Sequence, residues 1–325
     1  MLSRRFFLQG AALAALGTVL EGSARPASAV PAARGSRQVP GYFRLLLGDV
    51  EVTALYDGGV PISPALLHGA SPEAIDAALE EAFVDPRAGA LTSINAFLVN
   101  GGQGLVLVDT GVGTYFGDKA GLLTANIEAA GYKPEQIEAV LLTHLHSDHA
   151  LGLVDGAGKA LFPKSKVRVH EADAAYWLAP GAENRVTEGQ RKVLPALRAA
   201  VAPYQAAGTL TTFATGEAPF PGVAAELFAG HTPGHCGYRV RSKEESILFW
   251  GDIAHCLAVQ FPLPQVTIDF DTDQPRAAAD RRALLARAAA EKGYVAGAHL
   301  PFPGIGRIRP AGSGYAWVPA LYAAG

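Results

Sequence analysis

Seven side chains in this sequence have the types and the order needed to hold metal. Thr143-His144-Leu145-His146-Ser147-Asp148-His149 gathers three imidazoles and a carboxylate into one short run. Neutral imidazole nitrogen and charged carboxylate oxygen together suit zinc or a similar borderline divalent ion. Three further candidates follow: His231 in Gly230-His231-Thr232-Pro233-Gly234-His235, Asp252 in Trp250-Gly251-Asp252, and His299 in Gly297-Ala298-His299. A lone His or Asp at a strand end is more often a hydrogen-bonded structural residue than a ligand. Coming in this order after HxHxDH, the three read as ligand candidates. The chemistry of such a set is hydrolysis by metal-activated water. There is no G-x-S-x-G elbow, so no serine nucleophile is called for.

The elements that must position these residues are β-rich and fall into two halves, each ending in ligands. In the first, Tyr42–Leu47 and Val50–Tyr56 read as strands around a Gly48-Asp49 turn. Ser71-Pro72 reads as a helix cap and first-turn proline, with the helix running toward Phe83. Asn95–Val99 and Gly104–Asp109 form a hairpin pattern, a helix lies around Lys119–Ala130, and the apolar strand Ala139–Leu142 leads into the HxHxDH run. Lys166–His170 reads as a strand, Ala172–Leu178 and Asn184–Ala200 as helices. In the second half, strands at Ala224–Phe228, Tyr238–Arg241, Ser246–Trp250 and Tyr294–Ala298 each lead toward a Gly/His/Asp cluster, and a helix over Pro275–Lys292 is expected to stop with Gly293 as its C-cap. Ligands just past strand ends sit on loops held by a rigid scaffold.

The chain has 325 residues, 49% hydrophobic and 18% charged, which is enough apolar material for a globular core. Residues 1–29 are set apart from it. Arg4-Arg5 precedes a mildly apolar run to Leu20, and Ala27-Ser28-Ala29 has the small-x-small form of a cleavage site. This is the order of an export signal of the twin-arginine type, which directs the protein to the periplasm or outside the cell. The apolar run is too short and weak for a stable membrane span. Residues 30–38 read as a linker and 39–325 as a single domain. No basic block or stripe remains beyond the signal, which excludes nucleic acid as a natural partner. Two cysteines, Cys236 and Cys256, do not make a disulfide scaffold; two buried thiols is the simpler reading, and a bridge between them stays open.

The order HxHxDH, GHTPGH, GD and H resembles the metallo-β-lactamase superfamily over nearly all of the chain after its signal. Gln260-Phe261, Val266-Thr267 and above all Ala298-His299-Leu300-Pro301-Phe302-Pro303-Gly304-Ile305-Gly306 are similar to its methyl parathion hydrolase branch, which includes lactone and aryl-ester hydrolases. The last segment also has a simpler reading as a turn fixed by its prolines and glycines. The resemblance implies an αββα sandwich of mixed α/β class with a dinuclear site along one edge. Residue by residue, it implies His144, His146 and His231 on one metal, Asp148, His149 and His299 on the other, and Asp252 bridging. Zinc is the first expectation for both ions; Mn, Co or Fe suit the same donors. Asp109, in Val108-Asp109-Thr110-Gly111, matches a position behind the ligands and is expected to orient a histidine through its other ring nitrogen.

The activity so implied is attack by a hydroxide shared between two metals, with Asp252 and Asp148 holding the reacting centre. The substrate is then a small apolar lactone or aryl ester, with phosphotriesters as a side reaction. A dedicated phosphotriesterase is the nearest alternative, and an inert periplasmic metal- or ligand-binding protein is the alternative from another class. In the resembled branch, positions matching Phe116, Trp177 and Phe270 line an apolar pocket; core packing is an equal reading of each. His255 reads either as a pocket residue or as a packed group behind Asp252, and His235 as orienting its turn or a ligand. His255, Ile268 and Phe270 are bulkier or more polar than organophosphate specialists carry, and the helical stretch 184–200 has no aromatic residue, which favours the carbon esters. The resemblance further implies a homodimer.

Overall fold

The computed structural model describes residues 38–323, so the export signal and nearly all of the linker expected from the sequence lie outside the described residues. In the first half the elements run β1 (Tyr42–Leu47), β2 (Val50–Ile62), β3 (Leu67–His68), α1 (Pro72–Glu81), β4 (Ala90–Asn100), β5 (Leu105–Val108), α2 (Leu123–Ala129), β6 (Ile137–Leu141), α3 (Ser147–Ala150), β7 (Lys166–His170), α4 (Glu171–Trp177), α5 (Glu188–Ala206) and β8 (Leu210–Phe213). The second half continues with β9 (Val223–Leu227), β10 (Cys236–Ser242), β11 (Glu245–Phe249), α6 (Leu257–Gln260), β12 (Thr267–Ile268), α7 (Gln274–Glu291), β13 (Tyr294–Ala296), β14 (Ile305–Ala311) and β15 (Gly314–Pro319).

Two sheets result, ordered β1-β2-β4-β5-β6-β7-β8 and β15-β14-β13-β11-β10-β9, with β3 and β12 paired in a small ribbon. Strands β5 to β8 are parallel, as are β11 and β13; the other pairs are antiparallel.

The alternation of side chains along each strand explains the layering. On β5, Val106 and Val108 face the other sheet, while Leu105 and Leu107 face the outer helices. On β4, Phe97 and Val99 point inward and Ala96 and Leu98 outward. The inward set meets Val223, Tyr238, Val240, Ile247 and Phe249 of the second sheet. The outward set of the first sheet is covered by Leu123 and Ile127 of α2 and by Leu194, Leu197 and Val201 of α5. Leu248 and Val295 of the second sheet pack on Leu284 and Leu285 of α7. The result is the helix–sheet–sheet–helix sandwich. Strands covered on both faces have to read as nearly continuous apolar runs, as LVLV at β5 does.

Several elements differ from the sequence reading. Helix α5 starts at Glu188 and continues past Ala200 through Pro203, with Pro195 also inside it, because Leu194, Leu197, Val201 and Tyr204 are buried and tertiary packing outweighs the hydrogen bonds that proline deletes. The stop of α7 is also different. The left-handed residue is Lys292 (φ 56°), and Gly293 is needed for closeness, since a Cβ there would lie 2.8 Å from Ser246 Oγ. Strands β8, β14 and β15 go unread in the sequence. Cys236 and Cys256 are both free thiols, buried in separate core clusters.

Candidate metal centre

The seven candidate ligands meet at one edge of the sandwich, where loops leave β6, β9, β11 and β13. The loop after β6 carries His144 and His146, and α3 begins at Ser147, so Asp148 and His149 lie in its first turn. His231 follows β9, Asp252 follows β11, and His299 follows β13. One ligand atom from each of His144, His146, His231 and Asp252 lies within 4.8 Å of the others, and the same holds for Asp148, His149 and His299. Asp252 stands between the two groups. Its Oδ2 is 3.2 Å from His231 Nε2 and 3.1 Å from His299 Nε2, and its Oδ1 is 3.2 Å from His149 Nε2. His231 Nε2 is 3.2 Å from His144 Nε2 and 3.0 Å from His146 Nδ1.

Ring orientation is set from behind. His149 Nδ1 is 2.8 Å from Asp109 Oδ2, His231 Nδ1 is 2.8 Å from Asp271 Oδ1, and His299 Nδ1 is 2.8 Å from the Ser93 carbonyl. Each of those oxygens can only accept, so in each ring Nδ1 carries the donated proton and the neutral ring keeps its Nε2 lone pair for the site. Asp109 has φ 60°, a left-handed conformation that Asp tolerates. Its carboxylate also accepts from the Thr143 amide at 2.7 Å, tying β5 to the HxHxDH loop. Gly251 (φ 57°) lets the chain turn against His235, where a Cβ would sit 2.5 Å from the ring. His235 Nε2 accepts from the Asp252 amide at 3.0 Å and Nδ1 donates to the Phe228 carbonyl at 3.1 Å, so His235 fixes the Asp252 backbone.

The donor set fits a cation. His149 Nε2 and Asp252 Oδ1 are buried without a hydrogen-bond partner, and they face each other. A neutral imidazole lone pair beside a carboxylate oxygen presents two acceptors and no donor; a metal ion satisfies both. The electrostatics agree. Burial, reinforced by neighbouring imidazoles, holds His144 and His146 far below the ordinary histidine value. Burial also works against a proton on His231, but Asp252 and Asp271 outweigh it and raise the group to about 9. In His149, burial is likewise overcome by Asp252 and Asp109. The carboxylates therefore demand positive charge here, as protons or as divalent cations, and uptake of cations releases the protons.

A cavity of about 540 Å³ opens over this cluster. His146, Asp148, Asp252 and His299 reach it at the floor. Val60, Pro61 and Ile62 of β2, Tyr115 and Phe116 of the loop before α2, and Val193 of α5 make apolar walls, with Trp177 and Phe270. No Lys or Arg lines it among the described residues. Trp177 is buried and stands edge-on to His146, with ring centroids 5.3 Å apart; Phe270 is partly exposed and 5.9 Å from the His255 ring. Ile268 is not brought to the wall: it is fully buried with Ile62, Leu67 and Val266, beneath the β3–β12 ribbon. His255 lines the cavity, stacks on His299, and donates to Asp252 Oδ2 at 3.1 Å. Burial pushes it down to about 4.

The sequence reading did not find the buried polar side chains that brace the loops. Asp173 on α4 accepts from the Leu145 amide at 2.6 Å, Thr232 Oγ1 at 2.5 Å and the Gly234 amide at 3.2 Å, joining the first two ligand loops. Asp57 on β2 accepts from the Val112 and Leu123 amides, anchoring the loop that carries Phe116. Asn95 on β4 donates to the Gly297 and Leu300 carbonyls around His299. The one-dimensional signal of the two aspartates is that of any polar residue in a turn or a helix start, and that of Asn95 is that of an ordinary strand residue.

Comparison with known proteins agrees with this geometry. The family model of the metallo-beta-lactamase superfamily matches residues 89–299. The crystal structure of hydrolase AbOPH, described as in the beta lactamase superfamily, is similar at 38% identity and a TM-score of 0.85, covering 89% of this chain and all of that one (100%). AidC, a dizinc quorum-quenching lactonase in complex with the product N-hexnoyl-L-homoserine, is similar at 25% identity and a TM-score of 0.75, covering 87% of this chain and 99% of that one. A probable metal-dependent hydrolase from Staphylococcus aureus shares the fold at 19% identity and a TM-score of 0.67, covering 85% of this chain and 100% of that one. No curated protein sequence matches the chain.

Proposed function

The chain belongs to the metallo-β-lactamase superfamily, and on that footing we propose that it is an exported dinuclear hydrolase of neutral lactones and aryl esters, with phosphotriesters as a side reaction. The observation that carries this reading is the pairing of a His/Asp cluster with an apolar cavity whose wall has no Lys or Arg among the described residues. Such a wall offers no counter-charge to an anionic substrate arm and favours an uncharged one. AidC, similar in fold and a lactonase, supports the choice of electrophile.

His144, His146 and His231 would hold one ion, Asp148, His149 and His299 the other, with Asp252 reaching both. Two divalent ions so placed would supply a nucleophilic water near neutral pH and a Lewis acid for the electrophile's oxygen. The protein's own part is positioning. Asp252, fixed through its amide by His235 and through its carboxylate by His255, keeps the two ligand groups in register. Asp148, the most exposed of the cluster's carboxylates, stands at the cavity floor beside the incoming ester. The apolar arm of the substrate packs on Val60, Ile62 and Phe116, and Phe270 screens its outer side from water. A phenolate leaves without a strong general acid, so no Lys or Tyr donor is required at the floor.

Zinc is the first choice of metal. The twin-arginine-type signal at residues 1–29 supports export of the folded protein to the periplasm. The deciding experiment is a panel of aromatic lactones, phenyl esters and methyl parathion on protein of defined metal content. The lactones and phenyl esters should give the higher kcat/KM, and chelation should abolish turnover of all of them. A reversed ranking would make it a phosphotriesterase. Full metal content with no hydrolysis of any ester would make it a binding protein.

A further inference from the structure

The loop that delivers His231 is held by a run of buried ionic groups ending inside α7, well behind the cavity. Asp271 Oδ1 accepts from His231 Nδ1–H at 2.8 Å, and its Oδ2 accepts from the Ile268 amide at 3.1 Å. The Arg281 guanidinium lies 3.7 Å from that Oδ2. It also donates through Nε to the Ile253 carbonyl at 2.5 Å and through Nη1 to the Val266 carbonyl. Ile253 directly follows Asp252, so one guanidinium clamps both the Asp252 loop and the segment that carries Asp271. Arg281 is 1% exposed, and the Asp271 side chain is fully buried.

A buried ion pair is an expensive way to fill a core, where apolar side chains of similar volume do as well or better. This pair is therefore not explained by stability. We propose that Asp271, held in place by Arg281, is a positioning residue that fixes the ring of His231 and so sets the affinity of one metal position, the one built on His144, His146 and His231. The other position has separate supports: Asp109 at the end of β5 holds His149, and Ser93 of β4 holds His299. Asp271 touches His231 and no ligand of the second position, so the first position can be loosened through it alone. The proposal rests on the dinuclear reading above and adds to it which buried residues govern which ion.

The test is competition between a chromogenic zinc chelator and the zinc-loaded full-length protein, resolving the two equivalents. Asp271→Asn, which keeps the shape and removes the charge, should weaken one equivalent by roughly 10–100-fold and leave the other within about twofold. Asp109→Asn, which frees His149 directly and His144 only through Thr143, should weaken the other equivalent the more. Arg281→Met should weaken the same equivalent as Asp271→Asn. If that variant does not fold, Arg281→Lys serves, because an ammonium cannot reproduce the fork to Ile253 and Val266. In a His231→Ala background, Asp271→Asn should have no further effect, which a merely structural role would not give. The proposal is overturned if Asp271→Asn changes neither equivalent, weakens both alike, or keeps its full effect without His231. It is likewise overturned if both Arg281 variants bind zinc as the wild type does. Wild-type protein that takes up no zinc would instead remove the dinuclear reading itself, and this proposal with it.

Discussion

Gly230→Ala is the smallest change that should disable the site from behind. Gly230 is not left-handed; it is glycine because the chain runs against the first turn of α7. A Cβ there would lie 2.1 Å from Ala277 N, 2.4 Å from Ala277 Cα and 2.6 Å from Arg276 C. Non-bonded carbon contacts settle at about 3.5–4.0 Å, so one side must retreat by about 1–1.5 Å. The helix is the stiffer side: Asp273 caps it at Arg276 N, and Ala277, Ala278, Arg281 and Leu284 are buried. The retreat therefore falls on His231, whose Nε2 sits 3.0 Å from His146 Nδ1 and 3.2 Å from Asp252 Oδ2. Metal-ligand distances tolerate about 0.2 Å. Overpacking alone costs about 1–3 kcal/mol, a fall of several degrees in Tm for a domain of this size. A displacement near 1 Å at the site costs on the order of 100-fold in rate. Zinc per chain, Tm and kcat/KM on a phenyl ester are the readouts. Gly156→Ala is the control, since its Cβ would meet only Thr114 Cγ2 at 3.8 Å, and it should match the wild type in all three. Gly230→Ala protein with full zinc and kcat/KM within threefold of wild type would refute the reasoning.

Other predictions follow from groups outside the cluster. Asp57→Ala leaves the buried Val112 and Leu123 amides without their acceptor, which should cost about 2–4 kcal/mol in denaturant unfolding. The same variant should raise KM with zinc content unchanged, because the loop it anchors carries Phe116; an unchanged KM would contradict that link. Burial works to raise the Glu226 carboxyl, but Arg239 and Arg287 outweigh it and hold it below its ordinary value of 4.5. Its stabilisation is then present above pH 4.5 and lost as pH falls through the lowered value. Glu226→Gln should cost about 0.5–1 kcal/mol at pH 7, the gap closing in acid; a gap that widens below pH 4.5 would contradict the sign. Burial raises both cysteine thiols, so a thiol reagent should label neither Cys236 nor Cys256 in the native protein and both after unfolding.

The sequence by itself determined the ligand inventory and its order. It also determined β5 and the part of β6 from Ala139 to Leu141, because full burial on both faces leaves an apolar run that no surface segment carries. The capped start of α1 was equally legible, since Ser71-Pro72 has a local meaning whatever packs on it. The edge strand β8 and the strand β14 were not: β8 reads LTTF and β14 reads IGRIRPA, and their pairing depends on a neighbouring strand rather than on their own pattern. The tertiary structure alone decided what stands behind the ligands. Asp173, Asp271 and Asp57 look in sequence like ordinary turn or helix-start residues, and only folding removes them from water and points them at amides and imidazoles. It also separated Phe270, at the cavity wall, from Ile268 two residues earlier, which the β3–β12 ribbon turns into the core. Which atoms can bind metal is a property of residue type and so is written locally. Which atoms face each other at 3 Å is a property of long-range closure, as with Asp252 and His299, and no local pattern encodes it.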